Sequence, residues 1–461
     1  MDARDSHHHE DRHPRAALTE TGRWLRLFGV PRITARSLGI FRALLGFGFL
    51  LILLFADPII AVPLDLQHAY SPVADMGWVH RLAASGTGTF TLQVAGCVSA
   101  LLFALGIWAR PSFFVLVPVL LIHATLLLVR RGVHDWDLPI VTLLALLVVP
   151  WGDAPPIFNL RSHSSETSRA YGFAVWVPGL TIGLAYIAAA YAKLHTSGLA
   201  WITTGAVRYH FVDDGKNAPI DLGLWIATQP GLAIVLSALV VLVEAIFIIV
   251  IVLSGWRARA AVGLVGASLM GGFYLFQGVH WWPWLILYSA FLPWNRIVPA
   301  RAIDGRRDLT WLHGGVVAAL VTAQFWASYR VIEIEPLLTN YPMYAVTYQS
   351  PEHFEYSHGR PHFEAEGSDI TDRVVEAGGA PTLLTIAERQ KEGAPMSPDL
   401  ASALADFGGR YATLFGTAPT SIDAGLLLEP FDWQAGRYLP PARESVGVVH
   451  LSGLTRAAED R

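Results

Sequence analysis

The sequence predicts an all-α polytopic membrane bundle followed by a small C-terminal α/β domain. Hydrophobic residues make up 53% of the 461 positions and charged residues only 15%. The apolar residues occur in long blocks and not in the amphipathic periods of soluble helices. From about residue 330 the chain takes on the composition of a soluble protein. We therefore expect an N-terminal cytoplasmic segment (1–36), a transmembrane domain (37–329) and an extracytoplasmic C-terminal domain (330–461).

Eight or nine stretches are candidate transmembrane helices, because a helix needs about 20 apolar residues to cross a bilayer. They lie near residues 37–57, 90–109, 112–129, 138–151, 171–194, 231–254, 260–279, 281–294 and 310–329. The stretches 138–151 and 281–294 are short, and they need tilt or local thinning of the bilayer to span it.

Arginine placement predicts the orientation of this bundle. The N-terminal segment is rich in arginine and lacks the pattern of a cleavable signal peptide, so the first span is expected to be an uncleaved anchor. Alternate connections also carry arginine, such as Arg110 and Arg257, and the positive-inside rule places these in the cytoplasm. We expect a multi-pass protein of the cell inner membrane with its C-terminal domain outside the cytoplasm.

Several function classes are disfavoured. The formal charge of −4 and the lack of a basic stripe argue against a nucleic-acid partner. The single cysteine, Cys97, excludes an intrachain disulfide. The sequence shows no phosphate-binding glycine loop, no Cys/His spacing typical of a metal site and no Gly-x-Ser-x-Gly motif. We therefore expect no metal.

Lys193 is the strongest functional candidate, since it ends the apolar run 171–192. A low dielectric disfavours the charged form of the amine. A lysine in such surroundings gives up its proton more readily and can then act as a base. The alternative is a lysine that extends its ammonium to the interface and only anchors the helix. Arg42, inside the first span, is a candidate partner for Glu244.

The predicted orientation places four side chains at outer helix ends, where they could form one site: His134, Lys193, His195 and His280. The alternative for each is an interfacial polar residue. For His280, within His280-Trp281-Trp282-Pro283-Trp284, an interfacial aromatic belt is the competing interpretation.

The C-terminal domain contains short β-type segments at 344–348, 362–365 and 445–451, and a helix is expected at 398–407.

The segment Tyr191-Ala192-Lys193-Leu194, followed by Trp201 and Gly205, resembles the lysine-bearing motif of the vitamin K-dependent γ-carboxylase family. The membrane part of that family is also called the horizontally transferred transmembrane (HTTM) domain.

Two further segments support the resemblance. The stretch with Leu105-Gly106, Arg110 and Ser112, followed by His134, resembles the family segment with a catalytic histidine. The segment 339–345 is similar to the family segment that leaves the membrane domain. The resemblance covers roughly residues 37–350 and is of the bacterial type.

The resemblance implies an enzyme that couples epoxidation of reduced vitamin K or menaquinol by O2 to carboxylation of glutamate by CO2. Lys193 is then the base that deprotonates the hydroquinone, and His134 supports carboxylation. Around them, Tyr191, His195, Trp201 and His280 are candidate substrate-binding residues. The implied partners are the lipid bilayer, the quinone and a glutamate-containing peptide or protein.

One family histidine is absent, because Leu269 occupies the position that we align with it. The extramembrane part, about 130 residues, is also shorter than in the eukaryotic enzymes. Two alternatives stay open: a quinol epoxidase without carboxylation, and a non-catalytic lipid-binding or transport protein. A transporter is expected to show inverted repeats with broken helices, and the sequence shows none.

Overall fold

The computed structural model describes residues 28–61, 76–131, 134–159, 166–253, 255–297, 303–304, 308–337, 339, 341 and 344–451. The interpretation of the N-terminal arginines before residue 28 lies outside these ranges. The chain divides into two compact units. The first contains Met1–Thr203, Asn217–Ile220 and Ile234–Val346, and the second contains Thr204–Lys216, Asp221–Ala233 and Thr347–Arg461. The second unit thus takes in two segments from the middle of the chain, which composition does not set apart.

The described part of the chain is mostly helical. Its helices are α1 (Ala35–Leu51), α2 (Gly77–Ala83), α3 (Gly86–Leu105), α4 (Ala109–Arg131), α5 (Asp137–Ala145), α6 (Arg169–Ser197), α7 (Ala200–Thr203), α8 (Val207–Asp214), α9 (Leu222–Ala227), α10 (Pro230–Ile246), α11 (Trp256–Gln277), α12 (Trp282–Leu287), α13 (Trp294–Ile297), α14 (Trp311–Arg330), α15 (Pro351–Ser357), α16 (Thr371–Glu376), α17 (Ala380–Lys391) and α18 (Pro398–Phe415).

Six helical segments among the described residues are long and apolar enough to cross a membrane. They are Ala35–Ala56, Gly86–Leu105, Ala109–Arg130, Arg169–Ser197, Pro230–Ile251 and Trp256–Gln277. A helical membrane bundle is therefore supported, with fewer clear spans than the eight or nine that the sequence predicts.

The remaining three predicted spans form shorter or less apolar helices. The stretch 138–151 forms α5 and a 3-10 turn that ends before Pro150, and 281–294 forms α12 and a 3-10 turn before Pro293. Proline disfavours helical backbone in the residue before it, so both helices end early. The third stretch forms α14, which is long enough at 20 residues but less apolar than the six spans.

Helix α6 is the central helix of the first unit, with 89% of its apolar window buried. It packs antiparallel to the segment Pro230–Ile251. Near one end the Trp176 indole donates to the Ile251 carbonyl (3.0 Å), and further along the rings of Tyr186 and Phe247 lie 5.0 Å apart. Between them Gly183 allows close approach, because a Cβ there would lie 3.0 Å from the Cα of Ile248. This packing brings Lys193, near the C-terminal end of α6, beside Glu244 in the last turn of α10.

Arg42 does not pair with Glu244, and that prediction is wrong. Its buried guanidinium donates to the carbonyl oxygens of Ala154 and Pro155, both at 2.8 Å. These carbonyls belong to an irregular segment, so the guanidinium satisfies acceptors that lack helical partners.

The second unit combines helices with a four-stranded antiparallel sheet. Its strands are β4 (Arg360–Ala365), β5 (Ser368–Asp369), β6 (Ser421–Leu428) and β9 (Ala442–His450), in the order β5-β4-β6-β9. Two short strands, β7 (Phe431–Asp432) and β8 (Arg437–Tyr438), form a separate pair; β1 (Ile33–Thr34), β2 (Glu166–Ser168) and β3 (Ile303–Asp304) belong to the first unit. The predicted strands at 362–365 and 445–451 correspond to β4 and β9, and α18 begins at the predicted Pro398. The segment 344–348 is not a strand, and its described residues form a turn and a loop.

Candidate functional site

Lys193 forms a buried ion pair near the C-terminal end of α6. Lys193 and Glu244 are both 3% exposed, and Nζ of Lys193 lies 3.0 Å from Oε1 of Glu244 on α10. The Trp201 ring covers the ammonium, with its centroid 5.4 Å from Nζ. Lys193 therefore faces the protein interior and does not extend to an interface.

The second carboxylate oxygen of Glu244 is a buried acceptor that is not used by the described residues. Oε2 has no solvent contact and no described residue donates a hydrogen bond to it. Buried polar atoms are nearly always hydrogen-bonded in folded proteins, and an exception calls for an explanation such as catalysis or a ligand. Proton transfer at Oε2 is one such explanation.

The turn after α6 fixes the position of Trp201. Gly198 ends the helix with a positive φ of 59°, and the chain then enters α7. The Trp201 indole donates to the carbonyl of Tyr344, and the Ser197 hydroxyl donates to the carbonyl of Ala345, both at 2.7 Å. A segment far along the chain thus holds the indole over Lys193.

Three other predicted substrate-binding residues have exposed side chains. Tyr191 and His195 stack on each other, with ring centroids 5.3 Å apart and nearly parallel planes, on a face of α6 different from that of Lys193. His280 contacts the rings of Tyr274 and Trp282. The group of His280, Tyr274 and Trp282 has the composition expected of an interfacial aromatic belt.

His134 lies in a second polar cluster, between α4 and α5. Its Nδ1 is 2.6 Å from Oε1 of Glu335, which is 3% exposed. Burial lowers the pKa of His134, but the hydrogen bond and charge of Glu335, with the charges of Glu333 and Asp135, outweigh burial and raise this pKa above its ordinary value. Asp137, the first residue of α5, completes the cluster.

A cavity of about 340 Å³ adjoins this second cluster. Asp137, Gln324, Thr339 and Tyr341 supply polar groups to its wall. The other lining residues, from α5, α14 and the chain after α14, are apolar: Val141, Leu144, Ala145, Val316, Ala319, Leu320, Ala323 and Leu337. The shape and chemistry suit a mainly apolar molecule with a polar end.

Buried aromatic rings connect the two clusters. The ring of Tyr341, beside Asp137 in the cavity wall, is 6.1 Å from that of Trp284, and Trp284 is 6.4 Å from Tyr186. Tyr186 lies two helical turns before Lys193, on the same side of α6. Its hydroxyl shares a 2.6 Å hydrogen bond with that of Tyr288. The contacts thus place Lys193 and His134 in separate but linked clusters.

Sequence reasoning singled out Lys193, Trp201 and His134 but missed Asp137 and Glu335, which the structure places beside His134. Asp137 carries the usable signal, because a carboxylate at the start of an apolar helix is costly to bury. Glu335 follows the last predicted span, and nothing in the sequence connects it with His134. Glu244 was considered only as a partner for Arg42.

Comparisons of the chain with protein-family models, curated proteins and solved structures found no match in any of the three. The resemblance to the γ-carboxylase family therefore stays a prediction, and the geometry must carry the functional argument.

Proposed function

We propose that this protein is a membrane enzyme of the γ-glutamyl carboxylase type, in which the Lys193–Glu244 pair deprotonates a reduced naphthoquinone such as vitamin K hydroquinone or menaquinol. The observation that carries the proposal is the buried pair itself, with Oε2 of Glu244 open as a proton acceptor. An ionisable pair inside a candidate membrane helix is costly, and its usual role is functional.

The pair can accept a proton without creating net charge in a dry site. An ammonium beside a carboxylate is neutral overall. When a quinol O–H bond breaks, the proton forms a new O–H bond on Glu244, and the electron pair stays on the quinol oxygen. The ammonium of Lys193 then lies beside the new anion and stabilises it, which is worth more in a low dielectric than in water. O2 then reacts with this anion, as the family resemblance implies.

The side chains near Lys193 are small or flat. Ala189 and Ala190, one turn before Lys193, are small, and the Trp201 indole is planar. Small residues on a membrane helix allow a ring or another helix to approach closely. An orphaned acceptor, an ammonium and a planar indole together suit the hydroxyl end of a quinol.

The same proposal includes placement in the cell. We propose nine membrane crossings, with α5, α12 and α14 added to the six clear spans, in the inner membrane. Residues 330–461 then lie outside the cytoplasm, where a glutamate-containing peptide is available, with CO2 as co-substrate.

A second candidate function is epoxidation of the quinol without carboxylation. The position of His134 favours it, because the described ion-pair contact of His134 is with Glu335 and not with the Lys193 pair. Leu269, at the position that we align with a family histidine, is an apolar side chain packed against the core.

The test is epoxide formation in membranes that contain the full chain. Reduced vitamin K and, separately, menaquinol are supplied with O2 and labelled CO2. The 2,3-epoxide is measured by chromatography, and label in a Glu-rich peptide is measured in parallel. Lys193→Ala is expected to abolish epoxide formation, with partial recovery on addition of a small amine, and Glu244→Gln is expected to lower the rate at least about 100-fold, a typical loss for a general base.

Lys216→Ala is the matched control, since Lys216 also pairs with a glutamate and an aromatic ring but lies in the second unit. It should keep the wild-type rate. Equal epoxide yields from wild type and Lys193→Ala, or no epoxide from wild type, would refute the proposal and favour a non-catalytic lipid-binding or transport protein. Epoxide without label in the peptide would establish the second candidate instead, and His134→Ala should lower labelling more than epoxidation if carboxylation is retained.

A further inference from the structure

We propose that His134, Asp137 and Glu335 bind a divalent transition-metal ion, and that the open coordination position of this ion faces the adjoining cavity. The proposal does not depend on the function proposed for Lys193. It concerns a different cluster and adds a site that the sequence did not predict.

The geometry supplies three ligand atoms of suitable chemistry. One ring nitrogen of His134 and one carboxylate oxygen each of Asp137 and Glu335 all lie within 4.8 Å of one another. Ligands held about 2.1 Å from one tetrahedral ion stand about 3.4 Å apart, so small side-chain movements bring the three atoms onto one centre. The 2.6 Å contact between Nδ1 of His134 and Oε1 of Glu335 shows that two of the three ligand atoms already meet.

Asp137 provides the independent sign of a ligand. It is 2% exposed and lines the cavity, and within the described ranges its Oδ2 has no hydrogen-bond partner. A buried carboxylate oxygen that loses water without gaining a donor is strongly unfavourable. A bound cation removes this cost at Asp137, and its two positive charges balance the carboxylates of Asp137 and Glu335.

The ligand set indicates the class of ion. Imidazole favours Zn2+ and related transition metals over Mg2+ and Ca2+, which prefer oxygen-only sites. Three protein ligands and one open position are typical of catalytic and not of structural zinc sites. The lining of the cavity beside Asp137 is mostly apolar, and Gln324 and Thr339 are among its polar members. The fourth ligand is therefore expected to be water or an oxygen donor at the end of an otherwise apolar molecule.

The experiment measures metal in the purified full-length protein. The protein is treated with a chelator, dialysed against Zn2+ or, separately, Mn2+, and freed of unbound ion. Elemental analysis should find about one ion per chain in the wild type. Asp137→Asn and Glu335→Gln keep the side-chain shape but remove a negative ligand, and they should weaken binding by more than about 100-fold, the upper end of the loss for residues that only orient a ligand.

Glu364→Gln is the matched control, because Glu364 also pairs with a histidine, His362, in the second unit. It should bind the ion like wild type. As a readout independent of folding in the variants, Zn2+ or Mn2+ should raise the thermal unfolding temperature of the chelated wild type, since a ligand that binds only the native state stabilises it. Wild-type protein that retains no ion, or binding lost equally in Glu364→Gln, would overturn the proposal. So would Asp137→Asn and Glu335→Gln proteins that elute as folded species with full metal content.

Discussion

The two units each contain a lysine paired with a glutamate and an aromatic ring, but in opposite environments. In the first unit, the side chains of Lys193 and Glu244 are both 4% exposed, beside Trp201. In the second, the side chains of Lys216 and Glu429 are both 34% exposed, and Lys216 lies 5.1 Å from the ring of Tyr438. Both pairs join an ammonium and a carboxylate beside an aromatic ring, and their access to water differs about eightfold.

This difference changes what each pair contributes to the free energy of folding. Water and salt screen exposed charges, so such pairs contribute little to stability. Two buried charges lose their hydration, and their mutual attraction repays that loss only when the geometry is good. A protein that keeps the Lys193 pair bears a cost that two apolar side chains would avoid, and proton transfer gives a reason for keeping it.

The largest expected difference comes from removing one charge of each pair. Lys193→Met leaves Glu244 buried and uncompensated, so the free energy of unfolding should fall by about 3–5 kcal/mol. Lys216→Met exposes Glu429 to more water and should cost at most about 1 kcal/mol. Thermal and denaturant unfolding of the two variants in the same detergent measure both values. Equal losses would show that burial does not distinguish the pairs.

A double substitution tests whether the buried pair is needed for stability at all. Lys193→Met combined with Glu244→Leu removes both charges and keeps similar volumes, so it should recover most of the loss of the single variant or exceed wild-type stability by about 1–4 kcal/mol. Epoxide formation should stay absent in this variant. A double variant as unstable as Lys193→Met would instead assign the pair a structural role.

The sequence predicted the helix that carries Lys193 better than it predicted the ion-pair partner of Lys193. The apolar run at 171–194 corresponds to α6, Arg169–Ser197, because a long run without charges leaves few alternatives to a buried helix. The partner of Lys193 was not predictable, since Arg42 and Lys193 are both cations in apolar surroundings. Helix rotation and the close approach at Gly183, which the sequence does not reveal, decide that Glu244 meets Lys193.

The second polar cluster was only partly predictable, for a similar reason. His134 stands out at the end of an apolar run, but Glu335 lies beyond the last predicted span, in the part assigned to a separate domain. The predicted lengths of the short helices α5 and α12 were too great, because apolar composition continues through the prolines that follow them. Contacts between segments distant along the chain, and not local pattern, create this cluster.

Substitutions of the two aromatic residues should change the free energy of unfolding by less than removal of a charge. Trp201→Phe keeps a ring near Lys193 but removes the indole donor to the Tyr344 carbonyl, and Tyr438→Phe removes the hydroxyl donor to the Val212 carbonyl. Each loss should cost about 1–3 kcal/mol where the carbonyl stays dry, and less where water replaces the donor. We expect the larger cost at Trp201, which is 1% exposed. Denaturant unfolding of both variants, with Trp225→Phe as an exposed control, measures the loss in the free energy of unfolding.

The smallest expected effect is the dependence of the exposed pair on pH and salt. The hydrogen bond from Lys216, together with the charges of Lys216 and Arg360, holds the pKa of Glu429 below its ordinary value. A lowered carboxyl pKa stabilises the folded state above the ordinary pKa of about 4.3, and this contribution is lost as the pH falls through the lowered value. Hydrogen exchange of β6, corrected for intrinsic rates, should therefore rise between about pH 5 and 3 more steeply in wild type than in Glu429→Gln. The difference between the two proteins should shrink in 1 M salt, where the screening length is about 3 Å.

The Lys193 pair, out of contact with water, should show no such response to salt. A dependence on salt of the difference in unfolding free energy between Lys193→Met and wild type would contradict the contrast between the two environments.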